Sequence, residues 1–225
     1  MKQTPILFST QMVRAILEGR KTQTRRVIKP QPDDTGLHNH TDYPMSIDSK
    51  LEGWIGTVEE TGETKEYGLK YYPGDVLWVR ETFQYRGLNG NLIGFRGENG
   101  NSGFLYKEKD AEYQKFPDFK WVPSIYMPKE AARIWLEIVS VKVERLQDIS
   151  EQDALAEGIE TTKDPDGHDC VRVYGFKENM FAKLSQFSAI ESFESLWKSI
   201  NGLESLEANP WVWVVEFKRI EKPTS

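Results

Sequence analysis

The chain has 225 residues, 38% apolar and 12% aromatic with seven tryptophans, enough for one domain with a sizeable core. Its net charge of −6 argues against bulk binding of long nucleic acid, and no apolar run reaches the length of a spanning helix. The single cysteine, Cys170, excludes an internal disulfide, and Met1–Pro5 lacks the apolar core of a secretory signal, so a cytoplasmic protein is expected.

Pro5 to Phe8 is a short apolar lead-in, read as a strand end. Thr10 to Glu18 follows as an amphipathic helix, with Met12, Val13, Ile16 and Leu17 at helical spacing, Thr10 as N-cap and Gly19 as a left-handed stop. After Gly19 the residues Arg20-Lys21-Thr22-Gln23-Thr24-Arg25-Arg26-Val27-Ile28 read as a turn and then a strand. A threonine hydroxyl becomes a nucleophile when a base such as unprotonated lysine lies within hydrogen-bond reach. Lys21 and Thr24 are three apart, and an odd offset in one strand puts side chains on opposite faces. The pair meets only if Lys21 sits in the turn ahead of the strand. Residues 1–30 carry Lys2, Arg14, Arg20, Lys21, Arg25, Arg26 and Lys29 against Glu18 alone. That concentration fits a local pocket for one anionic or base-like ligand, or equally a basic edge strand.

Pro30 and Pro32 end the strand. Residues 31–72 read as a long, partly structured insertion with Trp54, Ile55 and Val58 as its apolar cluster. His38 and His40 lie in it with too few neighbouring ligands for a metal site, and His168 beside Cys170 is no better. Pro73-Gly74-Asp75 marks a turn into a central strand, Val76 to Val79, apolar on both faces, with Arg80 and Glu81 at its exit. Residues 84–122 form a second insertion, read as a hairpin or flap that packs its own aromatics. Pro123 to Pro128 reads as extended. Ile134 to Val143 is a long strand whose apolar phase switches at Ile138-Val139, the mark of a bulge.

Ser150 with Asp153 approximates a capping box, Ile149 can staple to Ala154, and Gly158 stops a two-turn helix. Glu157 then sits in the last turn, opposed by the helix dipole at a cost of about 0.3–1 kcal/mol; it reads either as a solvated glutamate that tolerates the penalty or as one facing a basic partner such as Lys21. Thr161 to Asp169 reads as a polar loop and Val171 to Tyr174 as a short strand. Ser188 and Glu191 cap a helix with the stripe Ile190, Phe193, Trp197 and Ile200, ended by Asn201-Gly202. The last strand, Trp211 to Phe217, is apolar on both faces and therefore central, with a polar tail from Lys218. Strands outnumber helices and no repeat appears, so an α+β chain with a barrel-like mixed sheet is expected.

Three blocks in order, Gly19–Arg26, Pro73–Val79 and Trp211–Phe217, together with the Asp148-Ile149-Ser150-Glu151 helix, resemble the ASCH-domain family of PUA-like β-barrels. The likeness covers about half the chain and extends to the longer ASCH proteins of phages and prophages. It implies one domain over residues 1–225 with insertions at 31–72 and 84–122. Many ASCH domains read Gly-x-Lys-x-x-Glu-x-Arg at the first block. Here Gly19, Lys21 and Arg26 match and Thr24 replaces the glutamate, the pattern of the branch that removes the acyl group from N4-acetylcytidine. The resemblance implies a catalytic set of Lys21, Thr24 and Glu157, the last lying seven residues past Ser150. It implies no cofactor and no metal. Arg26 and Glu81 are the expected pyrimidine contacts. In the implied mechanism Lys21 deprotonates Thr24, which requires a lysine brought from about 10.4 towards neutrality, about 4 kcal/mol. Arg20, Arg25 and Arg26 favour that as like charges, and an ionised Glu157 opposes it. Two other readings stand beside this one: a non-catalytic RNA or modified-base binding module, using basic charge and aromatic stacking, and a ribonuclease.

Overall fold

A computed structural model describes residues 1–29, 31, 54–57, 64–67, 71–85, 104–109, 120–174, 181–183 and 187–223. In chain order its elements are β1 (Gln3–Leu7), α1 (Thr10–Leu17), β2 (Gln23–Val27), β3 (Trp54–Thr57), β4 (Thr64–Tyr67), β5 (Val76–Arg80), β6 (Phe83–Tyr85) and β7 (Phe104–Tyr106). They continue with β8 (Trp135–Arg145), α2 (Glu151–Ala156), β9 (Thr161–Lys163), β10 (Asp169–Arg172), β11 (Phe181–Lys183), α3 (Ala189–Asn201), α4 (Leu203–Glu207) and β12 (Trp211–Ile220). The class is mixed α+β, as expected.

The main sheet has five strands in the order β1-β5-β8-β12-β2. β1 runs parallel to β5, with Gln3 opposite Val76 and Leu7 opposite Arg80. β5 is antiparallel to β8, and β12 to β2, where Val215 faces Thr24 and Trp213 faces Arg26. The strands that are apolar on both faces, β5 and β12, are interior, as burial on both sides requires. β1 and β2 are the edges. Among the described residues the sheet is therefore open, and the expected barrel closure is not seen. β9, β10 and β11 form a second sheet, and β3 with β4 and β6 with β7 form two hairpins.

The chain divides into two compact units. The first comprises Met1–Thr22, Asp75–Glu137 and Lys218–Ser225; the second comprises Gln23–Gly74 and Ile138–Phe217. β8 and β12 pass from one to the other along the chain. In the first unit Val76, Trp78, Ala132 and Trp135 pack with Ile220, and Phe83, Tyr106, Met127 and Ala131 pack with Phe104 and Val122. In the second of these sets Phe83 on β6 and Phe104 on β7 have ring centroids 6.1 Å apart, while Phe95, Tyr113, Phe116 and Phe119 of the expected flap lie outside the described residues. In the second unit Leu146, Ile149, Ala154, Val171, Phe193, Trp197, Val212 and Val214 form the core.

Local signals explain most element ends. Gly19 stops α1 at φ 76°, Gly158 follows α2 at φ 90°, and Gly202 ends α3 at φ 85°. The cap of α1 is Ser9, not Thr10, its hydroxyl accepting from Met12 N at 3.3 Å. Ser150 caps α2 and the Ser188–Glu191 box caps α3. The phase switch in β8 is real: Leu136 and Ile138 are buried, then Val141 and Val143, with Val139 exposed between them. Val139 thus leaves the buried phase assigned to it. Several expectations fail. Ser124–Tyr126 is a 3-10 turn rather than extended chain. The polar stretch after Thr161 contains β9, which pairs with β10. Ile200 is exposed at the end of the α3 stripe, and a further short helix, α4, follows Gly202. β12 continues to Ile220, into the segment expected to fray. His38, His40 and most of both insertions lie outside the described residues. Among the described residues no helix is long and apolar enough to cross a membrane.

Candidate active site

The residues singled out in the sequence are withdrawn from solvent. Lys21 is 2% exposed, Thr24 3%, Glu157 6% and Glu81 1%; Arg26 is half-buried. Buried lysines and glutamates are uncommon unless paired, so burial of charge at these positions calls for partners.

In the first unit, the turn after α1 is tied by Arg20 N and Lys21 N, which both donate to Ala15 O at 2.9 and 3.0 Å. Lys21 therefore lies between the Glu18–Gly19 turn and β2. Its Nζ stands 5.6 Å from the centroid of the Phe8 ring, a cation–π distance. Arg20 turns back to Glu18, its Nε donating to Oε2 at 2.8 Å.

Glu81, at the exit of β5, is not a solvated rim residue. Arg133 grips it with both arms of its guanidinium, Nε to Oε1 at 2.8 Å and Nη2 to Oε2 at 2.9 Å. The same Nη2 reaches Glu108 at 3.2 Å, and the guanidinium lies 4.4 Å from the Tyr106 ring centroid. Burial pushes the Glu81 carboxyl above its ordinary range, and the Arg133 charge only partly offsets it. For Arg133 burial acts downwards, but its bonds to Glu81 and Glu108 outweigh it and the guanidinium is held still more firmly protonated. The expected pyrimidine contact at Glu81 is thus a carboxylate whose two oxygens already meet an arginine. Arg133 was missed in the sequence because it lies 52 residues away, beyond the second insertion.

In the second unit the strand alternation of β2 divides its residues. Gln23 and Arg25 share one face, Thr24 and Arg26 the other. The Arg25 side chain is 0% exposed and sits among three carboxylates. Its Nε and Nη2 donate to Glu144 Oε1 at 3.1 and 2.5 Å, and its Nη1 donates to Glu157 Oε1 at 3.1 Å. Asp153 Oδ2 lies 3.6 Å from Nη2, and the guanidinium is 5.7 Å from the Phe193 ring centroid. Lys142 Nζ reaches Glu144 at 3.5 Å and Asp153 at 3.7 Å. Gln23 Nε2 donates to Asp153 O at 3.0 Å and to Asp153 Oδ1 at 2.9 Å. Burial acts to raise the Asp153 carboxyl, but bonds from Gln23 and Ser150 and the charges of Lys142 and Arg25 outweigh it and hold it below its ordinary value.

Glu157, the C-cap of α2, is buried rather than solvated, and Arg25 meets it as a cation set against the dipole penalty. The charge of Arg25 is in turn balanced by acids of its own cluster. Glu144 and Lys142 were overlooked although they stand on the polar phase of β8, alternating with buried Val141 and Val143.

Among the described residues one group has metal-ligand character: Asp164, Asp166 and His168, with ligand atoms within 4.8 Å of one another. Asp164 Oδ1 accepts from Asp166 N at 3.0 Å and His168 N at 2.9 Å, so the carboxylate closes the β9–β10 turn. Comparison with family models, with curated proteins and with solved structures returns no match.

Proposed function

We propose that the chain is an amidohydrolase of the ASCH, PUA-like type that removes the acyl group from N4-acylated cytidine or cytosine, using Lys21, Thr24 and Glu157. The observation that carries the reading is the burial of a lysine, a threonine and a glutamate at the three positions where the chemistry needs an amine, a hydroxyl and a carboxylate.

The reaction balances as follows. Lys21 Nζ takes the proton of Thr24 Oγ, and Oγ attacks the acyl carbonyl carbon. The tetrahedral intermediate collapses, the C–N4 bond breaks, and N4 receives a proton as cytidine leaves. Water then attacks the threonine ester, giving up its proton to the base, and the carboxylic acid departs with Thr24 Oγ reprotonated. Glu157 is the proposed proton carrier. Arg25 holds it from the face of β2 opposite Thr24. It therefore exchanges protons with the leaving nitrogen or the attacking water through an intervening water, rather than by direct contact with Thr24. Arg26 and Glu81 remain the proposed pyrimidine contacts, with Glu81 oriented by Arg133.

The alternative readings, a non-catalytic RNA or modified-base module and a ribonuclease, lean on the basic cluster of residues 1–30. Two of its charges, Lys21 and Arg25, are buried, which leaves a weaker phosphate track than the sequence implies. The test is incubation with N4-acetylcytidine, followed by the ultraviolet change on forming cytidine. Turnover should vanish in Thr24→Ala, persist in part in Thr24→Ser, and fall about 10²–10⁴-fold in Lys21→Met. No turnover by the unmodified chain, or full turnover by Thr24→Ala, overturns the proposal. Salt-dependent retention of RNA without turnover would favour the binding module, and strand cleavage the ribonuclease.

A further inference from the structure

We infer that Arg25 is the positioning residue for Glu157, acting through that carboxylate on the proposed deacylation; the inference rests on that reading of the site. The spacings of strand and helix match. Gln23 and Arg25 are two residues apart on one face of β2, about 7 Å along a strand. Asp153 and Glu157 are four residues apart on one face of α2 and its C-cap, about 6 Å along a helix. The two intervals agree, so the strand fastens the helix at both ends. Gln23 holds Asp153 by two bonds, and Arg25 holds Glu157 Oε1 at 3.1 Å.

A carboxylate at a helix C-terminus gains nothing from the helix dipole and has every reason to turn outward. Glu157 is nevertheless 6% exposed, and the guanidinium is the cation that meets it. Arg25 in turn is fixed by Glu144 on β8, by Asp153 and by the Phe193 ring on α3. Lys142 contacts Glu144 and Asp153 of the same cluster. Planar, many-donor geometry is what allows one side chain to address three carboxylates, and an ammonium cannot reproduce it.

The experiment is a double-mutant cycle in kcat on N4-acetylcytidine, with KM and thermal stability measured alongside. Arg25→Lys keeps the charge and loses the fork. It should lower kcat about 10-fold or more, with KM within about 2-fold, because misplacing a reacting group acts on the chemical step. On a Glu157→Gln background the same substitution should change kcat less than about 2-fold. Equal losses on both backgrounds, or an unchanged kcat in Arg25→Lys, overturn the inference. Ser188→Ala, in the α3 capping box, is the second variant, and it keeps the Arg25–Glu157 bond because the Ser188 hydroxyl bonds only Glu191 among the described residues. Its kcat should stay within about 3-fold of the parent whatever its melting temperature does, because the bond that positions Glu157 is intact. A kcat that falls in step with stability across both variants marks Arg25 as merely structural and also overturns the inference. An unmodified chain without turnover overturns the proposed function and this inference together, whereas an active chain with additive losses overturns this inference alone.

Discussion

Replacing Arg133 with methionine tests the reading of the Glu81 site most directly. The substitution keeps much of the arginine's apolar bulk and removes both bonds to Glu81, at 2.8 and 2.9 Å. Removing one member of a buried pair typically costs about 3–5 kcal/mol, because the remaining charge stays in a poor solvent. The Arg133 side chain is 24% exposed and the Glu81 side chain 2%, so the loss sits at the lower end, about 3 kcal/mol at neutral pH. The pH dependence fixes the cause. Glu81 already titrates above its ordinary 4.5 in the folded chain. A raised carboxyl contributes stability that is fully present below 4.5 and is lost as pH rises through the folded value. Without the guanidinium the carboxyl moves higher still, so the penalty of Arg133→Met should shrink as pH falls from 7 towards 5. The slope is at most about 1.4 kcal/mol per pH unit for one group. Urea unfolding of the parent and the variant at pH 7, 6 and 5 measures it. Adding Glu81→Gln should recover most of the loss at pH 7. A loss below about 1 kcal/mol, or one equal at pH 5 and 7, would refute a buried ion pair as the reason Glu81 is tolerated.

Asp153→Asn should cost about 1–2 kcal/mol at neutral pH, read from urea midpoints. Because Asp153 is held below its ordinary 3.8, its contribution is present above 3.8 and disappears as pH falls through the lower folded value, so the variant and parent should converge in acid. Gly19→Ala places a Cβ in open space but at φ 76°, so only backbone strain opposes it, about 1–2 kcal/mol by thermal melting. Ser188→Ala removes the hydroxyl half of the α3 capping box, while Glu191 still accepts from the backbone N–H of residue 188, and should cost about 1 kcal/mol in the same assay.

The elements that announced themselves in the sequence did so through end signals. Gly19, Ser150 and the Ser188–Glu191 pair each have one local use, and the chain uses them so. β5 and β12 were legible because apolar side chains on both faces leave an interior strand as the only economical place for them. β9 was not legible: Thr161, Thr162 and Lys163 are all exposed, and a strand with no buried face has no alternation to read. β12 outran its expected end because backbone pairing continues after the apolar side chains stop. At the candidate site the residues chosen one by one are buried, yet their partners were invisible. Arg25 meets Glu144 and Glu157 across 119 and 132 residues, and no spacing rule spans that distance.

The enclosure of Arg25 also limits the order in which this chain can drift. Losing the arginine first removes in one step the guanidinium that Glu144, Asp153 and Glu157 share, and leaves Glu157 indoors without that bond. Losing Glu144 or Glu157 first leaves a cation that still has company. Positions 25, 144 and 157 should therefore change as a group across any lineage that carries them, with an acid surrendered before the base.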